Sequence, residues 1–220
     1  DLCVYLLSNN KKVIIVPNID SYETFSEETN WFENLKNLNS FENFHIWSKT
    51  KQIYNWMEQH KIKNNTFLNF LFYKTCLLKY LPTNKENYIL LDTGSSLTDR
   101  KYLIEIANMF YRYNVGFKLV IKTVPCVYKK KKLHLYQGSP NITIVNRLMT
   151  MKELNHLYSS FEYFIYLAKF DGFGLSLAKA MSYNMYIFAG NGLPWNEILN
   201  HYPRKCFIEM KQDFTKKNGD

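Results

Sequence analysis

The fold is decided by residues 163–190, which read YFIYLAKFDGFGLSLAKAMSYNMYIFAG. An apolar run ends near Ala168 and a turn with two glycines follows it. Apolar and small residues then recur at helical spacing from Gly174 to Tyr183, before a second apolar run over 185–190. A strand, a helix and a strand in this order predict a right-handed βαβ unit with two parallel strands.

The same alternation extends over most of the chain. It predicts short strands over six further apolar runs: 2–7, 13–17, 44–47, 88–92, 117–124 and 141–145. It predicts helices over Lys49 to His60 with Ser48 as N-cap, over Asp99 to Tyr113, over 150–160 with a Thr150–Glu153 capping box, and over 195–199. We therefore expect an α/β fold, a Rossmann-type parallel sheet with flanking helices.

A polar break divides the chain into two predicted domains. Residues 66–81 begin like a strand and can end as a helix, and Pro82 with the polar residues after it resembles a linker. We assign 1–84 to a partial N-terminal lobe and 85–220 to a C-terminal domain. The chain begins without Met on a strand-like run, so we expect the natural N-terminus to lie upstream.

The composition indicates which classes of partner and which cellular compartment to expect for this protein. The net charge of +9 suits anionic partners such as nucleotides, nucleic acid or lipid headgroups. The four cysteines form no CxxC pair, which favours a reducing, cytoplasmic location over a zinc site or a disulfide scaffold. The lysine run at 129–132 is interpreted as a solvated loop, with contact to phosphate or acidic lipid as the alternative.

The turn at 171–174 has two interpretations on its residues alone. Glycines before a helix let an anion approach backbone amides at the positive end of the helix dipole, which favours a phosphate site. A glycine-containing turn without a ligand fits the same residues.

The surrounding motifs resemble those of a known family. DGFGLSLAKAMSYNMYIFAG (171–190), followed by LPWNEIL (193–199), resembles the signature of retaining glycosyltransferases of the GT-B fold, especially the family 4 type. NITIVNRLMTMKELNHLYSSFEYFIYL and YILLDTGSSLTDRKYLIEIANMF fall before it in the family's order. The resemblance is specific over about 88–200 and implies a GT-B-like fold whose C-terminal domain binds a nucleotide-sugar donor.

The resemblance implies a donor site built from several turns. Gly94 and Ser95 would form the turn that faces the donor, and Arg100 or Lys101 would neutralise its diphosphate. Both basic residues also fit a solvated helix start.

Two further segments complete the implied site. Arg147 and Leu148 would lie near the base, with an ordinary loop position as the alternative. Asp171 would face the sugar hydroxyls as the catalytic carboxylate, or else cap the helix. The rim and backbone amides around the phosphates would come from Gly172, Phe173, Gly174, Leu175 and Ser176.

The sequence departs from the family at two positions. Asp171 replaces the usual glutamate but keeps its charge. Lys179 stands where a second glutamate normally accepts hydrogen bonds from the ribose, and an ammonium has donors but no acceptor. Lys179 can bind a phosphate or a donor carboxylate, or it is an ordinary exposed helix lysine.

We therefore expect a hexosyltransferase-like enzyme of glycan biosynthesis that transfers a sugar from a nucleotide-sugar to a glycan, lipid or protein acceptor. The family's chemistry implies retention of configuration without a metal or other cofactor, and no Asp-x-Asp motif occurs in the chain. The alternative is a catalytically degenerate nucleotide-sugar-binding module or partner subunit. A nucleic-acid partner is disfavoured because no recognised motif for one is present.

Overall fold

Two parallel β-sheets with helices packed against them form the structure, a computed structural model that describes residues 2–16, 31–68, 87–94, 102–168, 174–192 and 195–209. The chain divides into an N-terminal unit, residues 1–72 with 170–174, and a C-terminal unit, residues 73–169 with 175–220. The boundary expected after residue 84 stays a prediction. In the described part of the chain, no helix has the length and apolar character needed to cross a membrane.

The N-terminal unit contains a three-stranded parallel sheet in the order β1-β2-β3. Its elements are α1 (Leu2–Ser8), β1 (Val13–Ile15), α2 (Trp31–Leu38), β2 (Phe44–Ser48), α3 (Lys51–Gln59) and β3 (Asn65–Phe67). Phe44 and Ile46 on β2 pack with Ile53 and Met57 on α3 in the core of this unit. The sequence predicted β1 and β2 and the start of β3, whereas most of 66–81 lies outside the described residues.

The predicted strand over 2–7 is wrong, because these residues form α1. Leu7 is buried, and Cys3 and Leu6 pack against the same core, which is helical spacing. Val4 and Tyr5 are exposed. A strand would have sent alternate residues to opposite faces, so the unbroken apolar run concealed the helical period.

The predicted N-cap of α3 is also wrong. Ser48 is the last residue of β2, where its hydroxyl donates to Asn65 Oδ1 at 2.6 Å. Thr50 caps the helix instead, because its Oγ1 accepts from the Ile53 backbone N–H at 3.2 Å. The helix therefore begins at Lys51, two residues later than expected.

The C-terminal unit contains a six-stranded sheet in the order β6-β5-β4-β7-β8-β9, and every strand pair is parallel. Its strands are β4 (Tyr88–Asp92), β5 (Lys118–Thr123), β6 (Ile142–Asn146), β7 (Tyr163–Tyr166), β8 (Tyr186–Gly190) and β9 (Lys205–Ile208). Its helices are α4 (Leu103–Arg112), α5 (Pro125–Lys130), α6 (Met151–Ser159), α7 (Leu175–Ser182) and α8 (Trp195–Ile198), with a 3-10 turn over Leu133–Tyr136. The α/β fold class is confirmed.

Helices cover both faces of this sheet. Leu91, Leu119 and Ile121 pack against α4 and α5 on one face. Leu90, Val120 and Phe164 pack against α6 and α7 on the other. The alternation along each strand thus places neighbouring residues in different cores.

The lysine run at 129–132 lies differently from the predicted loop. Lys129 and Lys130 end the short helix α5, which begins with Pro125 at its first position. Lys131 caps the helix and Lys132 adopts a left-handed φ of 52° before the 3-10 turn. The sequence prediction also missed α2 and β9.

Candidate functional site

The order of the strands places a ligand position at the carboxyl edge of the six-stranded sheet. The chain enters at β4, runs outward through β5 and β6, and returns to the other side of β4 at β7. The connections therefore reverse direction between β4 and β7. In open parallel sheets, ligands bind outside the carboxyl ends of the strands at such a switch point.

A buried ion cluster lies at this point. Asp92, the last residue of β4, is 5% exposed and accepts a hydrogen bond at Oδ2 from the Tyr158 hydroxyl at 2.8 Å. Its Oδ1 accepts from the Gly94 backbone N–H at 2.9 Å and lies 3.5 Å from Lys122 Nζ on β5. Three donors thus surround one carboxylate, which satisfies a buried negative charge.

Lys179 on α7 brings a second positive charge to the cluster. Its Nζ lies 5.5 Å from the ring centroid of Tyr158. Burial lowers the pKa of Lys179, and the Lys122 charge lowers it further, whereas the Asp92 charge acts to raise it. Burial and the charge of Asp92 raise the pKa of Tyr158 well above its ordinary value. Two ammonium groups therefore share the field of one carboxylate, and the cluster carries an excess of positive charge.

A second polar row follows the carboxyl ends of β4, β5 and β6 on the opposite face. Thr93 Oγ1 lies 3.2 Å from Thr123 Oγ1 and can donate to it. Asn146 is paired in register with Thr123, and its buried Oδ1 has no hydrogen-bond partner among the described residues. An unpaired buried acceptor is costly, so Asn146 Oδ1 is a position where a ligand donor would gain a hydrogen bond.

The structure places Gly94 at this edge and describes several other predicted donor residues. Gly94 follows β4 with a φ of 65°, in the left-handed region that favours glycine, and its N–H is held by Asp92. Gly174 has a φ of 68° before α7, which begins at Leu175 and includes Ser176. Six predicted residues lie outside the described residues: Ser95, Arg100, Lys101, Asp171, Gly172 and Phe173.

Arg147 and Leu148 follow β6 at the same edge. Arg147 forms an ion pair with Glu153 in the first turn of α6. Hydrogen bonds from Arg147 and from Thr150 lower the pKa of Glu153 to about 2. Leu148 is 76% exposed. The guanidinium of Arg147 thus pairs with a carboxylate of the capping motif of α6. The predicted position of Arg147 near the nucleotide base stays a prediction.

Sequence reasoning missed the centre of the site, which is the set Asp92, Lys122 and Tyr158. Two signals were present. Asp92 ends an otherwise apolar strand, and Lys122 interrupts another one, although charged residues are seldom buried unless they are paired. Tyr158 gave no comparable signal, because its partner Asp92 is 66 residues away in the sequence.

The chain is similar in fold to known glycosyltransferases. A point mutant of S. aureus TarM in complex with fondaparinux, α-GlcNAc-glycerol and UDP matches 92% of this chain with a TM-score of 0.72 and 14% identity. Anabaena HepE in complex with UDP and glucose matches 94% of this chain with a TM-score of 0.69 and 11% identity. WaaG, a glycosyltransferase involved in lipopolysaccharide biosynthesis, matches 90% of this chain with a TM-score of 0.67 and 12% identity.

These likenesses confirm the predicted GT-B fold. At the level of sequence, neither a protein-family model nor a curated protein matches the chain. The chain spans 42%, 60% and 61% of the lengths of TarM, HepE and WaaG. The fold therefore defines this chain as a GT-B-type α/β protein, and the ion cluster marks the carboxyl edge of its C-terminal unit as a candidate ligand site.

Proposed function

We propose that the C-terminal unit binds a nucleotide-sugar at the carboxyl edge of the six-stranded sheet and that the protein transfers the sugar to an acceptor. The observation that carries this proposal is the ion cluster, in which Lys122 and Lys179 outnumber Asp92 at the switch point. An excess of partly buried positive charge suits a diphosphate, whose own charges would restore the balance.

The cluster would act chiefly on the leaving group. When the bond between sugar and diphosphate breaks, negative charge develops on the diphosphate oxygens, and fixed positive charges nearby stabilise that charge. Lys179 would supply such a charge without a metal ion, together with the first turn of α7 and the predicted Arg100 or Lys101. Asp171 would orient the sugar hydroxyls, and the anomeric configuration would be retained.

Several fold neighbours were solved with UDP: TarM, HepE, and the pneumococcal O-GlcNAc transferase GtfA with UDP and GlcNAc. A uridine nucleotide is therefore the first probe. We expect UDP to raise the melting temperature of the protein, uridine to leave it unchanged, and EDTA to have no influence on the shift. Absence of any shift with UDP, GDP, ADP or their sugar conjugates would refute the donor site.

Two lysine variants test the part played by the cluster. Lys179→Met should weaken UDP binding, because it removes one of the two positive charges beside Asp92. Lys118→Met removes a lysine at the opposite end of β5 and is the matched control, so it should leave UDP binding unchanged. Equal loss in both variants would mean that net charge, and not the cluster, governs affinity.

The second candidate is a module that binds the nucleotide-sugar without turnover. The position of Lys179 favours it, because this ammonium lies against Tyr158 and offers no acceptor to a ribose. Donor hydrolysis or transfer that is abolished by Asp171→Asn would exclude this candidate. Binding without turnover in the natural chain, with turnover gained in Lys179→Glu, would establish it.

The acceptor and the cellular location are further parts of the proposal. We infer a glycan, lipid or protein acceptor and a cytoplasmic protein, with no metal or other cofactor. Lys129 and Lys130 lie close in sequence to Leu135, which is 65% exposed, a combination that suits contact with an acidic lipid surface. Co-flotation with phosphatidylserine vesicles, but not with phosphatidylcholine vesicles, would support that contact.

A further inference from the structure

A pocket of about 270 Å³ lies at the amino edge of the six-stranded sheet, at the opposite end of the strands from the ion cluster. Its lining comes from the residues that precede or begin three adjacent parallel strands, β4, β5 and β6. The lining includes Asn87, Tyr88, Asn114, Phe117, Lys118 and Asn141. Ligand pockets for larger molecules begin at about 300 Å³, so this volume suits one small ring better than a whole nucleotide-sugar.

Three side-chain amides in this pocket keep hydrogen-bonding capacity. Asn114 Oδ1 accepts from the Gly116 backbone N–H at 3.2 Å, which leaves its Nδ2 as a donor. Asn141 Nδ2 donates to the Phe110 carbonyl at 3.4 Å, which leaves its Oδ1 as an acceptor. The Asn87 side chain makes no hydrogen bond within the described part of the chain, whereas its backbone carbonyl accepts from the Lys118 N–H at 2.7 Å. The pocket therefore presents both donors and acceptors.

Two half-buried aromatic rings form the apolar part of the lining. The Phe117 ring packs edge to face with Tyr163 at 5.2 Å, and the Tyr88 ring packs in the same manner with Phe161 at 6.3 Å. Lys118 Nζ lies 5.4 Å from the Tyr88 ring centroid. Among the residues that the structure describes, the lining contains no carboxylate. Fixed rings and mixed amides suit a ligand that has apolar C–H faces and several hydroxyl groups, each of which both donates and accepts.

We propose that this amino-edge pocket binds a single neutral sugar residue, as a site separate from the carboxyl edge. The inference does not depend on transferase activity, because all of its residues belong to the opposite end of the sheet. Asn87, Asn114 and Asn141 would bind the sugar hydroxyls, and Phe117 would contact a C–H face. A protein that handles glycans would use such a site to hold a sugar unit away from the place where nucleotide binds.

The test is a titration of the ¹⁵N-labelled full chain with glucose, galactose and N-acetylglucosamine, followed by NMR. We expect millimolar, saturable shifts at the Gly116 and Asn141 amides with at least one of these sugars, and none at Gly94 or Leu175. If the proposed function holds, UDP should shift the Gly94 and Leu175 amides and leave Gly116 and Asn141 unchanged. The sugar pocket and the nucleotide site are therefore tested independently of each other. Absence of sugar-induced shifts at Gly116 and Asn141 would overturn the inference, as would equal shifts there with uridine.

Two variants make the assignment specific. Asn87→Ala should weaken sugar binding about fivefold, the change expected for one net hydrogen bond, without altering the fold. Asn114→Asp keeps the oxygen that accepts from Gly116 and removes the Nδ2 donor, so it should weaken binding as well. Asn55→Ala, on an exposed position of α3, is the control and should bind like the natural chain. Unchanged affinity in both pocket variants would overturn the assignment.

Discussion

At the scale of single residues, Asp92 is the charge on which the carboxyl edge depends. It ties the Gly94 turn to the end of β4, pairs with Lys122 and accepts from Tyr158. A buried carboxylate needs all of these donors, since removing one partner leaves part of its desolvation uncompensated. The geometry of the Gly94 turn is therefore coupled to side chains on β5 and α6.

Tyr158→Phe tests this dependence. The variant removes one hydroxyl, which donates to Asp92 at 2.8 Å in a fully buried position. We expect the free energy of unfolding to fall by roughly 1–3 kcal/mol, the range for a buried group that loses its partner. Urea denaturation measures the change. Tyr111→Phe, at a 55% exposed position, is the control, and equal stability of the two variants would contradict the role of the Tyr158 hydroxyl.

The lowered pKa of Lys179 predicts how stability depends on pH. Below both pKa values the lysine is protonated in the folded and unfolded chains, and burial makes the protonated form unfavourable in the folded one. The Lys179→Met variant should therefore be more stable than the natural chain at pH 7. As pH rises toward 10.5, the folded chain loses this proton before the unfolded chain does, so the difference should shrink.

Urea denaturation of both chains between neutral and alkaline pH measures this difference, because the other titrating groups are common to the two. The exposed Lys152→Met variant is the control for loss of a lysine charge. A difference that stays constant or grows with pH would show that Lys179 is not destabilised by its surroundings.

At the scale of elements, α6 has the most completely capped N-terminus in the C-terminal unit as described. Thr150 Oγ1 accepts from the Glu153 backbone N–H at 3.3 Å, and Glu153 Oε2 accepts from the Thr150 backbone N–H at 2.8 Å. Because α6 carries Tyr158 to Asp92, the cap also stabilises the site. Thr150→Ala should lower the free energy of unfolding by about 1 kcal/mol, as measured by urea denaturation. Thr150→Ser, which keeps the acceptor oxygen, should be close to the natural chain.

The carboxylate of this cap predicts an acid-dependent loss of stability. The folded-state pKa of Glu153 is about 2, below its ordinary value of 4.5. Its contribution is therefore complete above pH 4.5 and is lost as the pH falls from 4.5 toward 2. Glu153→Gln should weaken this dependence, and melting curves of both chains across that range measure it. Parallel acid profiles for the two chains would contradict the role of Glu153.

A helix or strand could be predicted where its buried apolar residues follow one clear pattern in the sequence. The core strands β4 to β8 consist of compact apolar runs between polar turns, and the capping box of α6 is local in sequence. In contrast, α1 has apolar residues on all sides, so strand and helix could not be separated, and β9 is a short run that begins with a lysine. The ion cluster could not be predicted, because it depends on tertiary contacts among four separate elements, β4, β5, α6 and α7.

At the scale of the whole molecule, each unit has its own apolar core and its own sheet. The clusters around Ile121 and Phe164 consist of residues from the C-terminal unit, and the cluster around Phe44 consists of residues from the N-terminal unit. The ion cluster and the amino-edge pocket both lie within the C-terminal unit. This distribution indicates that the ion cluster and the proposed sugar pocket share one scaffold.

A fragment of residues 85–220 should therefore fold alone and keep the nucleotide site. Its described residues contain every strand of the six-stranded sheet and both of its apolar faces, and a domain of this size buries enough surface to be stable. We expect a cooperative thermal transition and a UDP affinity within about threefold of that of the full chain. The same fragment with Leu90→Asp, which places a charge in the core, is the control for cooperative folding and should not melt cooperatively. A fragment that folds but does not bind UDP, while the full chain does, would show that the N-terminal unit supplies part of the donor site.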